Sequence, residues 1–182
     1  MRVLEDSKTM VAETKLTLAS LRIEEGFPQD VAELLNDARP VFEKNKMLTD
    51  LLHADAYEIR ALVAMGKIAE AKKRLEQARP LAAKNQDVGL RLIYQVCEAQ
   101  VLSGSNQFAA ARKLLDETLA EAKRRGFGAY ELSTRLELGK LAMRSARAAE
   151  GKKILGELAA ESKAKGFLLI EKKVNAALQF QN

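Results

Sequence analysis

The side chains best suited to covalent or metal chemistry occur once each in this sequence. His53 is the only histidine and Cys97 the only cysteine among 182 residues. No second metal-type ligand follows His53 one helical turn later, and no base near Cys97 would activate its thiol. The carboxylates are scattered over helical surfaces rather than paired in an apolar pocket. The sequence therefore predicts no enzyme activity, no cofactor and no metal site, with His53 as a groove or surface residue and Cys97 as a small, partly buried thiol.

A second set of polar side chains indicates binding rather than catalysis, because its members keep one helical phase at offsets of four and seven. Its basic and amide members could hold carboxylates through charge-assisted hydrogen bonds, so an acidic or C-terminal peptide would fit. The alternative is an ordinary solvated stripe, since every amphipathic helix has a polar side. The candidate binding residues are Tyr57, Arg60, Gln100, Glu137, Lys140 and Arg144.

Composition indicates that helices carry these residues. The chain is 47% hydrophobic, 30% charged and only 5% aromatic, and alanine, leucine, glutamate, lysine and arginine dominate it. Such a composition favours helix throughout. No leader-like segment and no run of eighteen apolar residues is present, which predicts a soluble, cytoplasmic protein without a membrane segment.

An internal repeat organises the chain, with a period of 40, the difference in number between Pro80 and Pro40. Ala38-Arg39-Pro40 recurs as Ala78-Arg79-Pro80, and Gly126 recurs as Gly166 at the same offset. In each period, apolar residues at offsets of four and seven define one face of a first helix. The first-helix columns are Ala12, Leu16 and Ala19; Leu52, Ala56 and Ile59; Leu92, Val96 and Ala99; and Leu132, Leu136 and Gly139.

A second helix follows in every period after a turn. Its core column is Leu35, Leu75, Leu115 and Leu155. The predicted repeats are 5–46, 47–86, 87–126 and 127–166, followed by a capping helix over 167–180 in a single domain, 1–182. Pro40 and Pro80 fall inside second helices, where proline removes a backbone hydrogen bond, so kinks are expected near 36–40 and 76–80.

Several of these segments resemble tetratricopeptide repeats. The stretch from Gly66 to Ala78 resembles the turn and second helix of that family, with Leu75 in place of phenylalanine, and Ala111-x3-Leu115 repeats the pattern. Leu138-Gly139 is similar to the Leu-Gly pair of the family's first helix, where the small residue lets helices approach closely. The chain differs from the family in lacking tryptophan and in its period, which is about 34 residues in the family.

The resemblance implies an all-α, right-handed α-solenoid of four helix-turn-helix repeats plus the C-terminal cap. It also implies that the first helices line a concave groove and that the six candidate binding residues face it. The expected function is a non-enzymatic protein-interaction or scaffold module that binds a peptide or partner domain in the groove. The alternative is a ligand-sensing or regulatory module of a larger bacterial signalling or transcription protein.

Basic pairs on the second helices allow a further reading, nucleic-acid binding along a convex ridge. This reading is less favoured, because acidic residues one turn later neutralise the ridge in part and no aromatic residues interleave for base stacking. The pairs are Lys72-Lys73, Arg112-Lys113 and Lys152-Lys153.

Overall fold

A computed structural model describes residues 2–179, with side chains from residue 5 onward, and its described part is helical throughout. The all-α prediction is therefore confirmed, whereas the handedness and the number of repeats stay predictions. Phe180, where the predicted capping helix ends, lies outside the described residues. The helices are α1 (Arg2–Glu25), α2 (Val31–Lys44), α3 (Leu48–Ala64), α4 (Ile68–Ala82), α5 (Val88–Gly104), α6 (Phe108–Arg124), α7 (Gly128–Arg144), α8 (Ala148–Lys165) and α9 (Leu168–Gln179), with a 3₁₀ turn, Pro28–Asp30, between α1 and α2.

Two compact units, Met1–Gly104 and Ser105–Asn182, make up the chain. The boundary falls between α5 and α6, inside the predicted third repeat, 87–126. The first unit contains α1 to α5 and the second contains α6 to α9. Within each unit, every helix packs against the next one along the chain.

The first unit is built around α3, which packs against α1, α2, α4 and α5. The predicted columns form its core: Leu52 and Ile59 are fully buried, and Leu35 is 1% exposed. Tyr94 of α5 is buried against α3 and donates a hydrogen bond from Oη to the backbone oxygen of Leu52 at 3.0 Å. Burial raises the pKa of Tyr94, so its hydroxyl stays protonated and available as this donor.

Turns of one type end several of the helices. At the end of α3, the amide of Lys67 donates to the oxygen of Leu62 at 2.9 Å, and Gly66 takes a positive φ of 73°. This is the backbone geometry that glycine adopts without steric cost. Asn106, one period after Gly66, takes the same geometry with φ 59°. The positive φ of this turn is therefore kept at Asn106, although glycine is replaced there.

A partly buried charge cluster joins α2, α3 and α4. Arg39 of α2 donates to Asp55 Oδ1 at 2.5 Å and to Glu58 Oε2 at 2.6 Å. Arg74 of α4 reaches the same two carboxylates, at 2.6 and 3.0 Å. The side chain of Asp55 is only 10% exposed, so its charge depends on these two arginines for compensation.

Arg39 of this charge cluster belongs to the first Ala-Arg-Pro sequence, and the second Ala-Arg-Pro sequence forms a corresponding ion pair. Arg79, one period after Arg39, donates to Glu98 of α5 at 3.1 Å, and Glu98 lies one period after Glu58. The two ion pairs thus join the second helix of one period to the first helix of the next. Both prolines lie inside their helices, α2 and α4, as predicted, and the expected kinks stay a prediction.

The second unit packs most tightly where α7 meets α8. A Cβ added at Gly139 would lie 2.5 Å from Leu155 Cδ2, and one at Gly151 would lie 2.7 Å from the backbone nitrogen of Met143. The structure confirms that Gly139 permits a close helix approach. Leu155, Leu158 and Val174 are fully buried in this core, and Val174 is the contribution of α9.

Candidate functional site

The candidate binding residues of the first unit lie on α3 and α5, and neighbouring helices already hold two of them. Arg60 of α3 donates to Glu24 of α1 at 2.7 Å, and its side chain is 26% exposed. Tyr57 is half-buried against the core around α1 and α2 and lies 6.0 Å from the ring of His53. Arg60 is therefore charge-balanced within the chain, and a ligand carboxylate would have to compete with Glu24.

Gln100 of α5 and His53 of α3 each carry a buried polar atom without a hydrogen-bond partner among the described residues. The atoms are Oε1 of Gln100 and Nδ1 of His53. Gln100 lies one period after Arg60, in the same position of the next first helix. Most buried polar groups in proteins are hydrogen-bonded, so each of these two atoms can still form a hydrogen bond, either to an ordered water or to a ligand that reaches it.

The three candidates of the second unit lie on α7. Lys140 donates to Glu137 at 2.8 Å, and the Glu137 side chain is 15% exposed. Arg144 is exposed in the last turn of the helix. In each unit, a basic candidate is thus paired with a glutamate of its own unit.

Cys97 is a fully buried thiol in this structure, whereas the sequence predicted only partial burial. It is 0% exposed, and its Sγ lies 3.7 Å from the backbone oxygen of Ala56 on α3. Cys97 lies one period after Tyr57, so this position of a first helix faces the preceding first helix. The helical phase that the sequence groups with Arg60 therefore includes positions used for packing.

The basic pairs of the second helices lie in both units, and one of them is partly neutralised. Arg112 donates to Asp116 and to Glu150, each at 2.9 Å. Those two hydrogen bonds raise the pKa of Arg112 against the opposing effect of desolvation. Lys113 lies 4.0 Å from Glu117. These contacts favour salt pairing over phosphate binding at this pair.

A half-open cavity of about 500 Å³ lies in the second unit, between the start of α7, the end of α8 and the start of α9. Its walls are mainly apolar and include Gly128 and Ala129 on one side and Leu168 and Leu169 on the other. Leu168 is 73% exposed and Leu169 is 48% exposed. The volume lies in the range of pockets for small molecules, about 300–1,000 Å³.

Charged side chains supply the polar part of the cavity wall, namely Glu131, Glu161 and Lys165. Hydrogen bonds from Lys165 and Arg135 lower the pKa of Glu161 to about 2, so this carboxylate is ionised at neutral pH. Glu131 lies 3.9 Å from both Lys123 and Arg135, beyond hydrogen-bonding distance. Arg135 therefore links α7 to α8 through Glu161 beside the cavity.

The sequence analysis did not identify this cavity, although the repeat contains a signal for it. Residues 127–130 read Phe-Gly-Ala-Tyr, and the corresponding residues 167–170 read Phe-Leu-Leu-Ile. Small residues in one period face large apolar ones in the next, which leaves a recess. A second recess of about 600 Å³, between α6 and the end of α7, is lined by Arg112 and Asp116, which pair with each other.

Within the described side chains, no group of three or more His, Cys, Asp or Glu residues is placed to hold a metal ion. None of the helices in residues 2–179 is long and apolar enough to cross a membrane. The chain matches no protein-family profile, no curated protein and no solved structure. What characterises the chain is the helical structure of its described residues and the recurrence of sequence features at an offset of 40.

Proposed function

We propose that the chain is a non-enzymatic interaction module that binds a peptide segment on the face formed by its first helices. The observation that carries this proposal is the pair of buried polar atoms, Gln100 Oε1 and His53 Nδ1, without a partner in the described chain. An extended peptide offers backbone donors and acceptors at regular spacing and can satisfy such atoms. Resemblance to tetratricopeptide repeats supports the same face.

The electrostatics of this face refine the expected ligand. Arg60 and Lys140 are each held by a glutamate, so recognition rests on hydrogen bonds to the peptide backbone more than on a carboxylate clamp. An acidic peptide remains compatible where it displaces Glu24 from Arg60. The proposed right-handed superhelix would continue the face along successive first helices.

Selection of a random peptide library on the immobilised protein tests the proposal. Peptides enriched on the wild type should bind at least about tenfold more weakly to Gln100→Leu, because the buried acceptor is lost. The matched control is Gln77→Leu, which makes the same exchange at an exposed position of α4. Equal binding to wild type and Gln100→Leu, or no enrichment at all, would contradict the proposal.

The cavity in the second unit favours a second candidate function, a ligand-sensing module that takes a small apolar molecule. Gly128 lines the cavity, and a Cβ at this position meets no atom within 4 Å. Gly128→Leu should therefore fill the cavity without a clash. The control is Gly156→Leu, at an exposed helical glycine that also has open space around it.

The neutral dye N-phenyl-1-naphthylamine serves as the probe for this candidate. It should fluoresce with the wild type and with Gly156→Leu and lose its signal with Gly128→Leu. A signal that is unchanged in Gly128→Leu, or absent from the wild type, would remove this candidate and leave the peptide-binding proposal untouched.

A further inference from the structure

Six uncharged side chains form a stripe along one side of α1. Met10 is 66% exposed, Val11 53% and Leu21 50%, and Leu18 between them is half-buried. Large apolar side chains grouped on one exposed helix face are a common mark of an interaction site. The α1 stripe consists of Met10, Val11, Thr14, Thr17, Leu18 and Leu21.

The two threonines of the α1 stripe can be buried without losing a hydrogen bond. Thr14 donates from its hydroxyl to the backbone oxygen of Met10 at 2.7 Å, and Thr17 donates to that of Glu13 at 3.0 Å. With the hydroxyl groups turned toward their own helix, the methyl groups remain for contact. The stripe is therefore apolar in effect over its whole length.

The repeat shows what this side of a first helix does elsewhere. In α3, the positions that correspond to Thr14 and Leu21 are Ala54 and Ala61, which are 0% and 2% exposed in the core shared with α1 and α2. In α9, the position that corresponds to Thr14 is Val174, which is also fully buried. This side therefore packs against other helices in both units, which indicates that the α1 stripe is shaped to receive a helix.

We propose that the α1 stripe is the contact surface of a homodimer, in which α1 packs antiparallel against α1 of a second copy. The spacing of Met10, Thr14, Thr17 and Leu21 is four, three and four, as in a helix-pair seam. A two-fold axis between Thr14 and Thr17 places Met10 against Leu21 of the second copy and the threonines against each other. Large residues then face large ones, and small residues face small ones.

The residues that flank the seam favour a second copy as the occupant. In this arrangement Val11 lies beside Leu18 of the second copy, which extends the apolar contact on one side. On the other side, Glu13 lies beside Ser20 of the second copy. No like charges face each other between these positions, and neither helix has to bury an unpaired charge, which would oppose association. The contact is isologous, so it closes at two chains.

Sedimentation velocity of the full chain over a concentration series tests the proposal. The wild type should show a monomer–dimer equilibrium, and Val11→Lys should weaken the dimer at least about tenfold by placing a charge in an apolar contact. Leu168→Glu is the matched control, because Leu168 is more exposed than Val11 but lies on α9. Thermal unfolding followed by circular dichroism verifies that each variant is folded.

A charge-pair rescue identifies the second copy as the occupant. Leu18→Glu alone should weaken the dimer as Val11→Lys does, whereas the double variant should recover it, because each lysine then faces a glutamate of the other chain. Glutamate suits this helix position, since α3 carries Glu58 there one period later. Three results would overturn the proposal: a wild type that stays monomeric across the series, a dimer that Leu168→Glu weakens as much as Val11→Lys does, and a double variant that remains as weak as Val11→Lys.

Discussion

Among individual residues, the carboxylates of α3 tie together three helices of the first unit. Asp55 and Glu58 receive Arg39 from one side and Arg74 from the other. Four charges compensate one another at a point where three helices meet. Removing one member leaves the others partly buried with incomplete compensation, which costs more than the loss of an exposed ion pair.

Asp55→Ala should lower the free energy of unfolding by about 3 kcal/mol, because it leaves two partly buried guanidinium groups with only Glu58. Denaturant titration followed by circular dichroism measures the change. The matched control is Asp116→Ala, whose partner is Arg112 and whose side chain is 49% exposed. It should cost no more than about 1 kcal/mol. Equal losses in the two variants would mean that burial of the cluster is unimportant.

Glu161 should make the stability of the second unit depend on pH in the acidic range. Its folded-state pKa of about 2 lies below the usual 4.5, so the stabilisation is complete above about pH 5 and is lost as the pH falls through 2. The difference in melting temperature between wild type and Glu161→Gln should therefore shrink over this interval. Glu157→Gln, at an exposed residue of the same helix, is the control. A difference that is constant from pH 7 to about pH 2 would contradict the assignment.

At the scale of helices, the contact between α7 and α8 depends on two glycines. Gly151 allows the backbone of α7 to approach α8, because an added Cβ would lie 2.7 Å from Met143 N and 2.9 Å from Gly139 O. Backbone atoms cannot turn aside as a flexible side chain can. This close approach offsets the low helix propensity of glycine at this position.

Gly151→Ala should destabilise the protein by about 2 kcal/mol, because the helices must separate to admit the methyl group. Gly156→Ala, in the same helix with open space at its Cβ, should stabilise it by about 0.5–1 kcal/mol through helix propensity. Thermal or urea unfolding of both variants gives the comparison. A gain in stability for Gly151→Ala would show that the close approach is not required.

Helix positions followed from the sequence because both the apolar columns and the turn residues recur from one period to the next. The second-helix column from Leu35 to Leu155 is buried as predicted. The pairing of Arg60 with Glu24 did not follow, because two charged residues on different helices give no periodic signal of contact. The cavity beside Gly128 depends on residues that differ between periods. The prediction used only apolar residues that recur in every period, so it could not find this cavity.

At the scale of the whole molecule, the units differ in how many partners each helix has. Within the first unit, α3 packs against four helices. Within the second, α9 packs against two helices, α7 and α8. It contributes one fully buried side chain among its described residues, Val174. Local opening requires less free energy where fewer apolar contacts are broken. The helices should therefore differ in their protection against hydrogen exchange, even if the chain unfolds in a single cooperative transition.

Hydrogen–deuterium exchange read by mass spectrometry should find the slowest amides in α3 and the fastest helical amides in α9. The expected difference is at least about tenfold, since the loss of about 1.4 kcal/mol in opening free energy changes the rate by that factor. Val174→Ala should accelerate α9 further while leaving α3 unchanged. Exchange in α9 as slow as in α3 would contradict the packing described for the second unit.

The ion pairs of the Ala-Arg-Pro repeats also determine where this chain could be cut and rejoined. Arg39 and Arg79 pair with Glu58 and Glu98, whereas the corresponding positions further along hold Leu119 with Leu138 and Ala159 with Leu178. Suppose that recombination joins a hairpin that carries the arginine to a later hairpin, with the crossover between the two hairpins. The arginine would then lie opposite leucine in place of glutamate. A crossover inside a hairpin keeps each matched pair together, and the boundary between the two units, Gly104 to Ser105, lies at such a point. The module that recombination can exchange is therefore a second helix with the first helix that follows it.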